Sequence, residues 1–90
     1  MTSICVHFII SGLVQGVWYR ATAQQKAIEL GLTGWARNLK DGNVELVACG
    51  NTSDIKKLEE WLWQGSPKAK VENVIAKEMA WTDFAEFEVR

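Results

Sequence analysis

Hydrophobic and polar positions follow different patterns in successive segments, and these patterns predict the first elements of the chain. Residues 4–10, "ICVHFII", are β-branched and aromatic, which is typical of a buried strand. Residues 20–31, "RATAQQKAIELG", are rich in helix formers and end at a glycine, which predicts a helix. The apolar residues of this segment lie near helical spacing: Ala23, Ala27, Ile28 and Leu30.

A hairpin and a second helix follow. Residues 32–39, "LTGWARNL", predict a strand, residues 40–43, "KDGN", a turn, and residues 44–50, "VELVACG", an alternating partner strand. Residues 52–65, "TSDIKKLEEWLWQG", predict a helix that has a Ser or Thr cap and an early Asp and that ends at its glycine. The apolar face of this helix consists of Ile55, Leu58 and Leu62.

Two strand-like segments complete the chain, residues 70–81, "KVENVIAKEMAW", and residues 84–90, "FAEFEVR". The order β-α-β-β-α-β, with an extra edge strand, predicts an α+β ferredoxin-like sandwich: an antiparallel sheet of four to five strands with two helices on one face. In this topology the first and second strands run parallel, and the third lies between them, antiparallel to both. The loop of residues 12–19 and Asn38 should therefore meet at one edge of the sheet.

Composition and charge narrow the class of protein. The 90 residues predict one domain, residues 1–90, and a 48% hydrophobic share with five tryptophans allows a core. Net charge is −1 and no basic stripe occurs, which argues against nucleic acid as a partner. An RNA-recognition domain shares the element order but needs exposed aromatics on its first and third strands. The third strand, "VELVAC", has none, so that interpretation fails.

The N-terminal segment and the cysteines bear on location. The start "MTSICVHFII" has no basic region of a signal peptide, and no apolar run approaches the ~18 residues of a membrane helix, so we expect a cytoplasmic protein with no membrane partner. Cys5 and Cys49 alone suit neither a zinc site nor a disulfide-rich scaffold. If the first and third strands are neighbours, a disulfide is geometrically feasible, but a reducing cytoplasm favours free thiols. Nothing indicates an obligate assembly, so we expect a monomer.

The segment "GLVQGVWYR", residues 12–20, carries the candidate chemistry. Glycines permit turns that point successive N–H groups at one spot, and a helix that begins near Arg20 adds its unpaired N–H groups and dipole. The guanidinium of Arg20 matches the geometry of a phosphate. Together these features predict an anion site that needs no metal or other cofactor. The alternative is a tight turn followed by an exposed arginine, since the segment is neither a Walker loop nor GxGxxG.

The chain closely resembles acylphosphatases. The resemblance lies in "GLVQGVWYR", in "LGLTGWARNLKDGNVEL" and in "WLWQGSPKAKVENV", in order and over almost the whole chain. The departures are minor: "GSP" stands where Gly-Pro is commoner, and Trp18 and Tyr19 occupy places where other residues also occur.

The resemblance implies metal-independent hydrolysis of small acyl phosphates, and it implies the residues that carry it. Phosphate would be bound by Arg20 and by the loop amides of Gln15, Gly16, Val17, Trp18 and Tyr19. Asn38 would orient the attacking water, whereas without the resemblance it reads as a cap of the coming turn. The alternative function is a noncatalytic phosphate-sensing module on the same fold. Such a module needs the loop and Arg20 but no water-orienting group.

The remaining conspicuous residues are expected to be structural. His7 is the single histidine and lies in the middle of a strand without a partner nearby in sequence. Four tryptophans are expected to pack in the core or between helix and sheet: Trp35, Trp61, Trp63 and Trp81.

Overall fold

A computed structural model describes residues 2–90 and contains the predicted order of elements. The elements are β1 (Ser3–Leu13), α1 (Tyr19–Glu29), β2 (Thr33–Asn38), β3 (Val44–Asn51), α2 (Thr52–Gln64), β4 (Lys70–Met79) and β5 (Phe87–Val89). The predicted elements are confirmed, with boundaries shifted by a few residues. The largest shifts are three residues: β1 continues to Leu13, beyond the apolar run, and β5 begins only at Phe87.

The strands form one sheet in the order β4-β1-β3-β2-β5. As predicted, β3 lies between β1 and β2 and pairs antiparallel with both, which leaves β1 and β2 parallel. β4 is antiparallel to β1, whereas β5 pairs parallel with β2 and adds the one parallel ladder among the described strands. The ferredoxin-like α+β fold is confirmed.

Alternate residues of each strand face the two helices and form the main core. Val6, Phe8 and Ile10 of β1 belong to this core together with buried residues of both helices. The predicted apolar face of α2 is buried, as are Ala23 and Ala27 of α1. Ile28, although apolar and near the same helical spacing, has a side chain that is 60% exposed. Small alanines let α1 lie close to the sheet, and Ile28 is turned about 100° away from Ala27 around the helix.

The cap of α2 also differs from the prediction. Asn51, rather than a Ser or Thr, is the N-cap, and its Oδ1 accepts a hydrogen bond from the backbone N–H of Ser53 at 2.9 Å. Asn51 is the last residue of β3, so the strand passes directly into the helix. Asp54 lies in the first turn, as expected from the helix dipole.

A second, smaller cluster lies on the sheet face opposite the helices, called here the open face. Cys5 of β1 and Cys49 of β3 stand directly opposite each other and are joined by a disulfide, with Val47 beside them. Trp35, Met79 and Phe84 pack against this cluster, so the segment between β4 and β5 crosses the open face. The feasibility of the disulfide is confirmed, whereas free thiols in the cell stay a prediction.

The open face also contains a polar network. Nε2 of His7 lies 2.8 Å from Oε2 of Glu45, and Nε of Arg37 donates to Oε1 of the same carboxylate at 2.5 Å. These two partners hold the pKa of Glu45 below its ordinary value, with the His7 hydrogen bond as the largest cause and burial opposing it. His7 therefore has a partner that the sequence did not reveal, in β3.

The four tryptophans divide into two pairs. Trp35 and Trp61 are half-buried and pack against the two clusters, as predicted. The prediction was wrong for Trp63 and Trp81, which are 47% and 51% exposed. Trp63 follows the buried Leu62 and so points away from the core, and the indole N–H of Trp81 donates to the Asp83 carboxylate at 2.8 Å.

Candidate active site

The loop between β1 and α1 is shorter than predicted. β1 continues through Gly12 and Leu13, so the loop consists of residues 14–18 and Tyr19 opens the helix. Gly12 has φ 120° at a bulge against β4, where a Cβ would lie 2.1 Å from the main-chain oxygen of Lys70. This close approach of two backbones requires glycine. Gly12 therefore shapes the strand that leads into the loop and lies outside the loop itself.

The start of α1 leaves its backbone donors uncapped. Trp18 is the N-cap residue in the left-handed region, with φ 63°, and it makes no side-chain capping bond. The first turn contains no acidic residue, in contrast to α2. The N–H of Thr22 donates to the main-chain oxygen of Trp18 at 3.0 Å, so the amides of residues 19–21 precede the first helical bond. Such a helix start, with the dipole behind it, favours an anion.

Two side-chain hydrogen bonds connect the loop and the start of α1 to α2 and to the segment that follows α2. The buried Tyr19 donates its hydroxyl to the main-chain oxygen of Leu62 at 2.7 Å, and its burial raises the phenol pKa. The hydroxyl of Ser66, the single buried polar residue described, donates to the main-chain oxygen of Val17 at 2.6 Å. No role was predicted for Ser66, although the unusual serine in "GSP" marked its position.

Gln15 ties the loop to the hairpin between β2 and β3. Its side-chain nitrogen donates to the main-chain oxygens of Leu39, at 2.8 Å, and Asn43, at 2.9 Å. Only the backbone amide of Gln15 was predicted to take part in the site. Its side chain instead connects the loop to the hairpin between β2 and β3.

Arg20 lies in the first turn of α1 and is held from a distant part of the chain. Its Nη1 donates to the main-chain oxygen of Arg90 at 2.7 Å. Arg90 follows β5, which the parallel pairing with β2 places beside α1. The guanidinium is thereby restrained at the edge of the sheet where β2 ends.

Asn38 is the last residue of β2 and its side chain is exposed. Ala36, on the same face of the strand, is fully buried beneath the helices, whereas Trp35 lies on the open face. There, the guanidinium carbons of Arg37 and Arg90 lie 5.3 and 4.9 Å from the centre of the Trp35 ring. The predicted strand phase is therefore confirmed, and Asn38 is directed to the helix side of the sheet.

The loop, the start of α1 and the end of β2 meet at one cleft of about 420 Å³. It is lined by Val14, Gly16, Trp18, Tyr19, Arg20, Ala21, Asn38 and Val89. The predicted convergence of loop and strand end is thus observed. Gln15 and Val17 do not line the cleft, because the side chain of Gln15 turns to the hairpin and that of Val17 packs against the core.

Among residues 2–90, no three His, Cys, Asp or Glu side chains are grouped so that they could share a metal ion. None of the helices in the same range has the length and apolar character needed to cross a membrane.

The fold and the cleft define a ferredoxin-like protein with a candidate anion site where β1 passes into α1. The family model described as acylphosphatase matches residues 6–89. This chain belongs to the acylphosphatase family.

Known relatives resemble this chain over most of its length. It is 51% identical to an acylphosphatase of Coxiella burnetii over 86 residues, 96% of this chain and 90% of the relative. It is 54% identical to an acylphosphatase of Methylococcus capsulatus over 85 residues, 93% of this chain and 92% of the relative. A solved acylphosphatase structure from Coxiella burnetii superposes with a TM-score of 0.95 at 50% identity, covering 98% of this chain and 93% of that one.

Proposed function

We propose that this protein hydrolyses the carboxyl-phosphate bond of small acyl phosphates, without a metal, to a carboxylate and orthophosphate. The observation that carries the proposal is the meeting of Arg20, the uncapped start of α1 and Asn38 at one cleft. The acylphosphatase relatives, at about half identity over most of both chains, support the same activity.

The phosphoryl group would bind at the loop. Backbone amides of residues 15–19 and the guanidinium of Arg20 would donate to its oxygens, and the dipole of α1 would favour its negative charge. The same donors would stabilise the charge that spreads over these oxygens in the transition state. The hydrogen bond from Arg20 to Arg90 favours this role, because it restrains the guanidinium before substrate arrives.

The leaving group requires little from the protein. An acyl phosphate departs as a carboxylate, whose conjugate acid has a pKa of about 4. At neutral pH the bond between phosphorus and the acyl oxygen can therefore break without a general acid, and its electron pair remains on the carboxylate. The described residues that line the cleft include no Asp or Glu, and this chemistry does not require one.

Asn38 would place the attacking water in line with the leaving group. Its side-chain oxygen can accept a hydrogen bond from the water, or its side-chain nitrogen can donate one to the water's oxygen, which fixes the water behind phosphorus. As the oxygen of water bonds to phosphorus, a phosphate oxygen of the substrate takes one proton, so no protein base is required. A pH–rate profile that reveals an essential enzyme base would contradict this last step.

The alternative function is a noncatalytic phosphate-sensing module. It would need the loop and Arg20, but it would give Asn38 no task. The position of Asn38 in the cleft therefore favours the enzyme, and the relatives give the sensing module no support.

Release of orthophosphate from benzoyl phosphate in EDTA tests the proposal. We expect turnover by the wild type and a fall of about 10²-fold or more in kcat for Asn38→Ala, with inhibition by orthophosphate largely retained. Asn73→Ala, which removes an exposed asparagine on β4, is the matched control and should behave as wild type.

Two outcomes would contradict the assignment. Equal losses of phosphate binding and turnover in Asn38→Ala would remove the separate water-positioning role. No turnover by the wild type, together with measurable phosphate binding, would establish the sensing module instead.

A single domain over residues 1–90, a monomeric state and a cytoplasmic location stay predictions.

A further inference from the structure

Trp18 has an unusual conformation and an unusual exposure for a large aromatic residue. Among residues 2–90 it is the only non-glycine residue with positive φ, and its side chain is 80% exposed. Backbone sterics disfavour a bulky residue in the left-handed region, and water disfavours an exposed indole. Its neighbour Tyr19 is buried and bonded to α2, so the packing of the loop depends on Tyr19. By comparison, the exposed indole of Trp18 contributes little to the packing of the fold.

Strain and exposure of this kind tend to occur at functional sites, and Trp18 lines the cleft. The cleft's volume, about 420 Å³, lies within the range of roughly 300–1,000 Å³ typical of small-molecule pockets. A bound phosphoryl group would engage the donors of the loop and Arg20. The large apolar side chains of the lining that are exposed, Trp18 and Val89, are then left for the rest of the substrate.

We propose that the indole of Trp18, together with Val89, forms a subsite for the acyl group and favours aromatic or bulky apolar acyl phosphates over acetyl phosphate. This inference rests on the proposed hydrolysis of acyl phosphates and names the substrate class of the same cleft. An aromatic acyl group covers exposed indole surface and adds a ring–ring contact, whereas an acetyl group is too small to do either. The exposure of Val89, about two-fifths of its surface, leaves apolar area on the second wall as well.

The test compares kcat/KM for acetyl, butanoyl and benzoyl phosphate. Trp18→Gly is the main variant, because glycine tolerates the left-handed backbone and removes the ring without adding a polar side chain at the N-cap. Trp18→Asn tolerates the same backbone, and any capping of the helix start by its amide would affect all three substrates alike, while Trp18→Phe keeps an aromatic ring. Trp63→Ala removes an exposed indole from α2, outside the cleft, as a matched control.

We expect the ratio of kcat/KM for benzoyl phosphate to kcat/KM for acetyl phosphate to fall about tenfold in Trp18→Asn and Trp18→Gly. The effect on butanoyl phosphate should lie between the effects on the other two substrates. A change in the phosphate loop itself should affect all three substrates alike and so cancel from this ratio, which leaves the ratio as a measure of the contact with the acyl group. Trp18→Phe should keep most of the preference, and Trp63→Ala all of it.

An unchanged ratio in Trp18→Asn and Trp18→Gly, or an equal loss for all three substrates, would overturn the acyl subsite while leaving the proposed function in place. Failure of the wild type to hydrolyse any of the three would overturn the proposed function itself, and the subsite with it.

Discussion

The side-chain nitrogen of Gln15 donates to the main-chain oxygen of Leu39 at 2.8 Å, which joins the phosphate-loop candidate to the residue that follows Asn38. The same nitrogen donates to Asn43 at 2.9 Å, on the other side of the hairpin. Gln15 and Leu39 are 24 residues apart in the sequence. Gln15 therefore fixes the distance between the two halves of the proposed site without lining the cleft.

Gln15→Glu should separate this positioning role from phosphate binding. A carboxylate has no proton to donate and would face two carbonyl oxygens, so the hairpin that follows Asn38 should shift. We expect kcat for benzoyl phosphate to fall about tenfold with a smaller change in KM, and the free energy of unfolding to fall by about 1–3 kcal/mol. Steady-state kinetics and urea unfolding measure the two effects.

Gln25→Glu is the matched control, since Gln25 is exposed on α1. A purely structural role for Gln15 would lower the urea midpoint and leave kcat and KM at their wild-type values. That result would contradict the positioning role.

Arg20→Ala should lose both binding and rate. The variant removes the fork that the proposed mechanism places on the phosphoryl oxygens, so we expect kcat/KM to fall by about 10²-fold or more and inhibition by orthophosphate to weaken. Arg20→Lys should recover little of the kcat/KM that Arg20→Ala loses, because an ammonium is a point charge and cannot donate two parallel hydrogen bonds. Lys57→Ala, on the exposed side of α2, controls for the loss of one positive charge. Near-wild-type activity in either Arg20 variant would reject the role of this residue.

Glu45 should make stability depend on pH in the acid range. His7 and Arg37 hold its pKa in the folded protein below the ordinary value of 4.5. The ionised carboxylate therefore contributes stability that is fully present above the unfolded pKa and is lost as pH falls through the lowered pKa of the folded state. Glu45→Gln should lower the free energy of unfolding at neutral pH, and its difference from wild type should shrink as pH falls below 4.5.

Urea unfolding from about pH 7 to pH 3 measures this difference. Glu78→Gln, on the exposed β4, controls for the loss of one negative charge. A difference between Glu45→Gln and wild type that stays constant over the whole range would contradict the linkage to this carboxylate.

The disulfide between Cys5 and Cys49 should stabilise the fold without affecting turnover. It closes a loop with a sequence separation of 44, and the chain-entropy model assigns a loop of that size about 4 kcal/mol. The bond lies on the open face, away from the cleft-lining residues. A reductant should therefore lower Tm while hydrolysis of benzoyl phosphate at moderate temperature is retained. The double variant Cys5→Ala, Cys49→Ala should not respond to the reductant.

Mass spectrometry of rapidly alkylated cell lysate tests the redox state in the cell, where we expect free thiols. A bonded pair in that lysate would contradict this expectation. If reduction abolished turnover without unfolding the protein, the prediction that the disulfide does not affect the chemistry in the cleft would be wrong.

Local sequence determined the elements and their order. Apolar periodicity, caps and turn glycines act over a few residues, so the strands, both helices and the hairpin could be read directly. The element order then limited the topology enough to predict that the loop and Asn38 meet at one edge of the sheet. The loop motif marked Arg20 as an anion-binding candidate, whereas Asn38 became a candidate through the resemblance to acylphosphatases, and both residues line the cleft.

The tertiary structure decided which side chains act on one another across the fold. Pattern reasoning treated Trp18 and Tyr19 alike, yet one is exposed in the cleft and the other is bonded to α2. It gave no partner for His7, no side-chain role for Gln15 and no role for Ser66. The physical reason is the same in each case: periodicity fixes which face of an element a residue occupies, whereas its partner depends on how distant segments pack, and no local pattern contains that information.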